Sequence, residues 1–187
     1  QAGGDCGRGS SRVGTSWRTV RPARQHHLIL LLDTRVVGAL SGRCALRRRF
    51  LELIDANYYD ECYVYRVIPG FICQWGVPAS PAEWQKWGAN KIKDDPVKVS
   101  NTPGTLSFAT SGPDARGSQL FINYGQNESL DDQGFSPFAS VTSGMDVAMR
   151  FGEAKGKVDQ NEAKEKGNAY FSQFPELSVI KSVKRRA

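Results

Sequence analysis

Apolar residues recur along this chain at two different intervals. In "RCALRRRFLELIDANYY" (43–59), Leu46, Phe50, Leu53 and Ile54 stand three and four positions apart. That spacing predicts a helix with one apolar stripe. "HHLILLLDT" (26–34) reads as a strand, a short apolar run ending in polar residues. Farther on, "CYVYRVI" (62–68), "GFICQW" (70–75), "GTLSFAT" (104–110), "SQLFINY" (118–124) and "FASVT" (138–142) predict short strands punctuated by Pro, Gly, Asn and Asp. "SGMDVAMRFGEA" (143–154) predicts a second helix, with Ser143 as its cap and Met145, Val147, Ala148 and Phe151 to bury. Residues 153–168 are charged and read as a surface loop, and "LSVIKSV" (177–183) as a closing strand. Many short strands with two isolated helices predict a closed antiparallel barrel with helices over its open ends.

Composition adds bounds. The 187 residues fit one domain with a real core, and 40% hydrophobic with 24% charged residues is the balance of a globular protein. The formal charge of +6 is uneven: residues 1–50 hold ten Arg and no Lys against Asp5 and Asp33, so +8 falls there and −2 on the rest. The basic character therefore says little about what the folded body binds. The chain begins at Gln1 rather than Met, as a fragment or processed product does. Residues 1–26, rich in Gly, Ser and Arg, read as a basic leader without fixed structure, with 27–187 as the domain. The same composition suits the end of an organelle transit peptide, so the expected compartment is the cytoplasm, or an organelle if that reading holds. Cys6, Cys44, Cys62 and Cys73 form no C-x-x-C pair and lie apart from His26 and His27, which argues against zinc and against a disulfide framework. The longest apolar run, Leu28–Leu32, is too short for a bilayer.

The chemistry narrows by elimination. No histidine occurs between Cys62 and Val141, which weakens any hydrolase built on a histidine base. Asp94, Asp95, Asp131 and Asp132 sit in polar runs and read as solvated turn residues. "GPDARG" (112–117) lacks the ending of a phosphate loop and reads as a turn. What remains is Arg66, Gln74 and Gln119 among Phe71, Ile72, Phe108, Phe121, Leu130 and Phe135. Each aromatic alone is ordinary core, and an arginine alone is ordinary surface; the set together is not.

"YRVIPGFICQWG" and "GTLSFATSGPDARGSQLFINYG" resemble the two signature blocks of the cyclophilins, the peptidyl-prolyl cis-trans isomerases, and "LDDQGFSPFASVTSGMDV" is similar to a third stretch. The likeness runs from about Phe50 onward, about 138 residues. It implies a mainly β fold, an eight-stranded antiparallel barrel capped by two α-helices, with a site on its outer surface. By matching position, Arg66 would be the catalytic arginine, with Gln74 beside it binding the substrate peptide. Phe71, Ile72, Phe121 and Leu130 would form the proline pocket, and Phe135 stands where the family has a pocket-edge histidine. Ala109, Thr110, Ser111 and Gln119 would line the neighbouring groove, with Phe108 adjoining them. The reaction implied is rotation about X-Pro bonds in proline-containing polypeptides, assisting protein folding. It needs no cofactor or metal, and the protein would act as a monomer without nucleic-acid or membrane partners.

Several positions depart from that pattern. Tyr65 replaces a histidine, Trp75 a glycine, and Ser129 a tryptophan that helps bind cyclosporin, so weak or no cyclosporin binding is expected. Trp84 and Trp87 lie in a long segment, 76–103, read as a surface loop. "RVVGALSGRCALRRR" matches poorly, which predicts an incomplete first hairpin and an open sheet edge. Two other classes compete: a catalytically idle module that binds proline segments, and a nucleic-acid binder using the Arg-rich N-terminus.

Overall fold

The computed structural model describes residues 14–20, 31–33, 44–152 and 158–185. After residue 44 the chain forms helix α1 (Ala45–Asp55) and strands β3 (Cys62–Val64), β4 (Arg66–Ile68), β5 (Ile72–Trp75), β6 (Thr105–Phe108), β7 (Leu120–Asn123), β8 (Pro137–Ser143) and β9 (Ser178–Arg185). Two N-terminal strands join them, β1 (Gly14–Val20) and β2 (Leu31–Asp33). Short helices intervene: α2 (Pro81–Glu83), α3 (Met145–Ala148), α4 (Gln160–Lys166) and α5 (Asn168–Phe171).

The strands form one antiparallel sheet in the order β3-β9-β1-β2-β8-β6-β7-β5-β4. The expectation of a closed eight-stranded barrel is therefore corrected. Seven strands follow α1, two precede it, and no ladder joins the terminal strands β3 and β4. Those two are consecutive pieces of one extended segment, parted at Tyr65: Cys62 pairs with Ile180 on β9, and Arg66 with Gln74 on β5. The reason is geometric, because a segment that turns at one residue can pair with different neighbours before and after the turn. The first hairpin, expected to be incomplete, is paired: Gly14 lies opposite Asp33, β1 pairs with β9 and β2 with β8. Gly14–Val20 falls inside the stretch read as a leader, and the rest of residues 1–26 lies outside the described residues.

The apolar stripe of α1 behaves as its spacing predicts. Leu46, Phe50 and Leu53 are wholly buried, and Phe50 meets Phe138 of β8 at 5.1 Å between ring centres. Phe108 meets the same ring at 5.0 Å. This core also takes Trp75 and the half-buried Trp87, so those two tryptophans pack. A second cluster joins Tyr65 and Val77 to Tyr170 and Phe171.

Two helical readings change. The helix expected over 143–154 is only Met145–Ala148, because β8 runs to Ser143 and Gly144 takes the cap at φ 88°, a left-handed value suited to glycine. The stretch read as loop contains α4, whose cap is Asp159, accepting from the amides of Asn161 (2.8 Å) and Glu162 (3.2 Å). The 76–103 segment likewise folds back as α2 followed by one wide helical turn, Trp84–Gly88.

Candidate active site

The ladder between β4 and β5 sets Arg66 opposite Gln74, and the ladder between β5 and β7 sets Gln74 opposite Phe121. Alternation along a strand turns Ile72 and Gln74 to one face and Cys73 to the other, where it is buried in the main core. Ile72 joins Phe121 and Leu130 in a third, small apolar cluster flanked by Phe71, Ala109 and Phe135, with Phe121 and Phe135 edge to face at 5.6 Å. This cluster is one wall of a cleft of about 410 Å³.

Of the twelve residues assigned to a site from the sequence, the cleft brings together eleven: Arg66, Gln74, Phe71, Ile72, Ala109, Thr110, Ser111, Gln119, Phe121, Leu130 and Phe135. Phe108 is corrected. It lies on the opposite face of β6, wholly buried against Phe138, because its neighbour Ala109 is the residue that reaches the cleft.

Polar groups over the apolar wall form one chain. The exposed Arg66 donates from Nη1 to Gln74 Oε1 at 3.1 Å. Gln74 Nε2 donates to Gln119 Oε1 at 3.0 Å, and the Tyr65 hydroxyl donates to the same oxygen at 2.8 Å. No carboxylate lies within ion-pair distance of Arg66 among the described residues. Burial pushes the Tyr65 phenol up, so it remains a neutral donor. Gln74 Nε2 carries two hydrogens, so one stays available to a ligand carbonyl.

The loop bearing Leu130 and Phe135 is held from behind by groups that the sequence reading passed over. Asp131 accepts from Ser100 Oγ (2.5 Å), Asn101 N (2.9 Å) and Asn101 Nδ2 (2.7 Å). The same Nδ2 reaches Phe135 O at 2.8 Å. Asn127 Nδ2 donates to Phe71 O at 2.8 Å, from the pocket's other side. Partial burial pushes the Asp131 carboxyl up, but hydrogen bonds from Ser100 and Asn101 outweigh it and hold the group below its ordinary value. Asp94 is likewise no free turn residue: it pairs with Arg116, whose other arm donates to Gly134 O at 2.5 Å. Asp95 caps α1, accepting from Leu46 N at 2.9 Å. Three of the four acids read as solvated turns are thus structural, and partners 22 to 49 positions away are invisible to local pattern.

At its other end the cleft is lined by Trp84, Lys91, Gln160 and Lys164, supplied by the wide helical turn, the chain after it and α4. Those elements were read as loop, so nothing in the local pattern placed them here. Among the described residues no cluster of His, Cys, Asp and Glu could hold a metal, and no helix is long and apolar enough to cross a membrane.

Known proteins are similar to this chain in sequence and in fold. The family model described as cyclophilin type peptidyl-prolyl cis-trans isomerase matches residues 45–168. Peptidyl-prolyl cis-trans isomerase-like 3 of Dictyostelium discoideum is 38% identical over 105 residues, 52% of this chain. The human protein of that name is 36% identical over 102 residues, again 52% of this chain. The chain spans 62% of the length of each of these relatives. In fold, it is similar to a Cryptosporidium parvum cyclophilin type peptidyl-prolyl cis-trans isomerase whose crystal structure was determined in the presence of the dipeptide Ala-Pro. The TM-score is 0.63 at 19% identity, covering 93% of this chain and 99% of that one.

Proposed function

Because the chain belongs to the cyclophilin-type peptidyl-prolyl cis-trans isomerase family, we propose that it catalyses rotation about X-Pro bonds in proline-containing polypeptides and so assists their folding. The observation that carries this reading is Arg66: a guanidinium without a carboxylate partner among the described residues, held by Gln74 beside the Ile72, Phe121 and Leu130 wall.

The chemistry follows from the bond. An X-Pro bond resists rotation by about 18–20 kcal/mol because twisting it breaks amide resonance. In the twisted state the prolyl nitrogen turns pyramidal and gains a lone pair. A donor aimed at that nitrogen binds the twisted state more strongly than either planar one, which lowers the barrier. The guanidinium of Arg66, with its rigid fork of N–H groups, offers such a donor. The apolar wall holds the ring while the preceding carbonyl swings, and Gln74 steadies a substrate carbonyl without titrating. No bond is made or broken, so the reaction requires no nucleophile or cofactor.

The test is two-dimensional NMR exchange on a short Ala-Pro-Phe peptide with catalytic amounts of protein. Exchange peaks are expected with the parent and a loss of about 10²–10³-fold in kcat/KM for a folded Arg66→Ala variant. No exchange from a folded parent that still binds the peptide overturns the isomerase and leaves a proline-binding module. In the same assay cyclosporin should inhibit weakly or not at all, since the exposed Ser129 offers no indole to pack against it.

A further inference from the structure

The cleft continues past its proline wall. Along the chain leading into β7, Phe121 belongs to the apolar cluster, Gln119 to the amide chain, and Gly117 lies against the turn that carries Trp84. A Cβ at Gly117 would stand 2.2 Å from Gly88 O and 3.1 Å from Lys91 Nζ, so only glycine lets that turn come so near. Gly88 does the same for the indole, since a Cβ there would stand 2.3 Å from the Trp84 ring. Two ammonium groups converge on that ring: Lys91 Nζ is 5.5 Å and Lys164 Nζ 5.2 Å from its centre. Lys91 is anchored to Gly88 O at 2.6 Å, and Lys164 approaches Asn161 Oδ1 at 3.4 Å. Neither has a carboxylate within ion-pair distance among the described residues, whereas the neighbouring Lys166 pairs with Glu162.

Two like charges held on one ring, with no counter-ion among the described residues, repel each other, and the arrangement asks for an anion. We propose that Lys91 and Lys164, ordered on Trp84, form a subsite for a negatively charged side chain of the substrate, either a carboxylate or a phosphorylated hydroxyl, two to four residues before the proline. This rests on the proline-isomerase reading of the same cleft. The spacing follows from chain dimensions: Phe121 to Gly117 is four residues, at most about 14 Å, and an extended substrate covers that in about four residues or fewer. The direction follows from the reaction, since the ring fills the wall and the bond before it must lie toward Arg66 and Gln74, on the way to the lysines. Burial, and then the Lys164 charge, hold Lys91 below the ordinary ammonium value, so an anion between the two relieves a strain already present.

The test compares three peptides that differ only three residues before the proline, carrying Ala, Glu or phosphoserine. Affinity is read by NMR titration and turnover by exchange. At low salt the anionic peptides are expected to bind about three- to tenfold tighter than the Ala peptide, a ratio that shrinks with added salt. In Lys91→Met/Lys164→Met the ratio should fall to about one, and in Lys91→Glu/Lys164→Glu a peptide with Lys at that position should become the preferred one. Reading ratios within each variant removes the effect of any change in folded fraction. If only the phosphoserine peptide is preferred, the anion is a phosphate; if both are, a carboxylate suffices. Equal binding of all three to the parent, or a preference that survives both double variants, overturns the subsite. Turnover without discrimination would leave the isomerase reading standing, and discrimination without turnover would overturn that reading alone.

Discussion

Replacing the phenol of Tyr65 with a phenyl ring isolates what this tyrosine adds. Its hydroxyl is one of two donors on Gln119 Oε1, and the other comes from the amide that holds Arg66. Tyr65→Phe should cost about 1 kcal/mol of stability, the usual net worth of one such bond, seen as a lower denaturation midpoint. It should also reduce turnover more than peptide affinity, since Gln119 becomes free to turn and Gln74 with it. Equal loss in both would mean the tyrosine serves only as packing. In the chain from Tyr65 through Gln119 to Gln74, burial pushes the phenol upward and the amides do not ionise. Exchange rates measured with a neutral peptide should therefore stay flat from about pH 5.5 to 8.5; a bell-shaped profile would show that another group takes part. Which side chains gather at the cleft was legible through the resemblance alone, since the two signature-like blocks carry them over position by position, and eleven of the twelve line the cleft. Phe108 was not, since an aromatic at a strand end looks the same whether it faces the cleft or the core.

At the scale of elements, the start of α1 and the pocket loop are each held by a distant acid. Cys44 is a weak cap, its Sγ 3.4 Å from Arg47 N, and Asp95 supplies the stronger acceptor at the helix's positive end. Asp95→Ala should destabilise the fold by about 1 kcal/mol, read from urea denaturation, and Asp95→Asn by less. Asp131 does the corresponding service for the loop of Leu130 and Phe135. Its carboxyl is held lower in the folded protein than its ordinary value of 3.8, so the stabilisation it provides is complete above that value. It is lost as the pH falls below it, through the folded value. Loop amide shifts should thus hold steady at pH 5 and change only below about 4, a transition that Asp131→Asn should remove. Helix α1 was legible because its stripe has four apolar members. Helix α4 was not, since Ala163 is its only buried residue and its stability comes from the Asp159 cap and the Glu162–Lys166 pair.

At the scale of the whole molecule, the segment 62–68 is held from both ends of the sheet, by β9 through Cys62 and by β5 through Arg66. Ile180→Ala, at a wholly buried position opposite Cys62, should cost about 2–5 kcal/mol. Amide hydrogen exchange should then quicken in β4 as well as in β3 and β9; protection retained in β4 would show that the two halves are independent. The mainly β class could be read from the run of short strands, but not the order of the sheet, because pairing between distant segments leaves no mark on local pattern. The same pairing bears on how the protein is made. Cys62 waits for Ile180, which lies 118 positions later, so β3 can pair only after Ser178–Arg185 has been made. Until then Arg66 rides on a segment paired only through β4, so a nascent chain can place its cleft side chains through β4, β5 and β7 while the half-strand before them stays unpaired. Order over the whole segment 62–68 should therefore arrive late, when β9 pairs with β3.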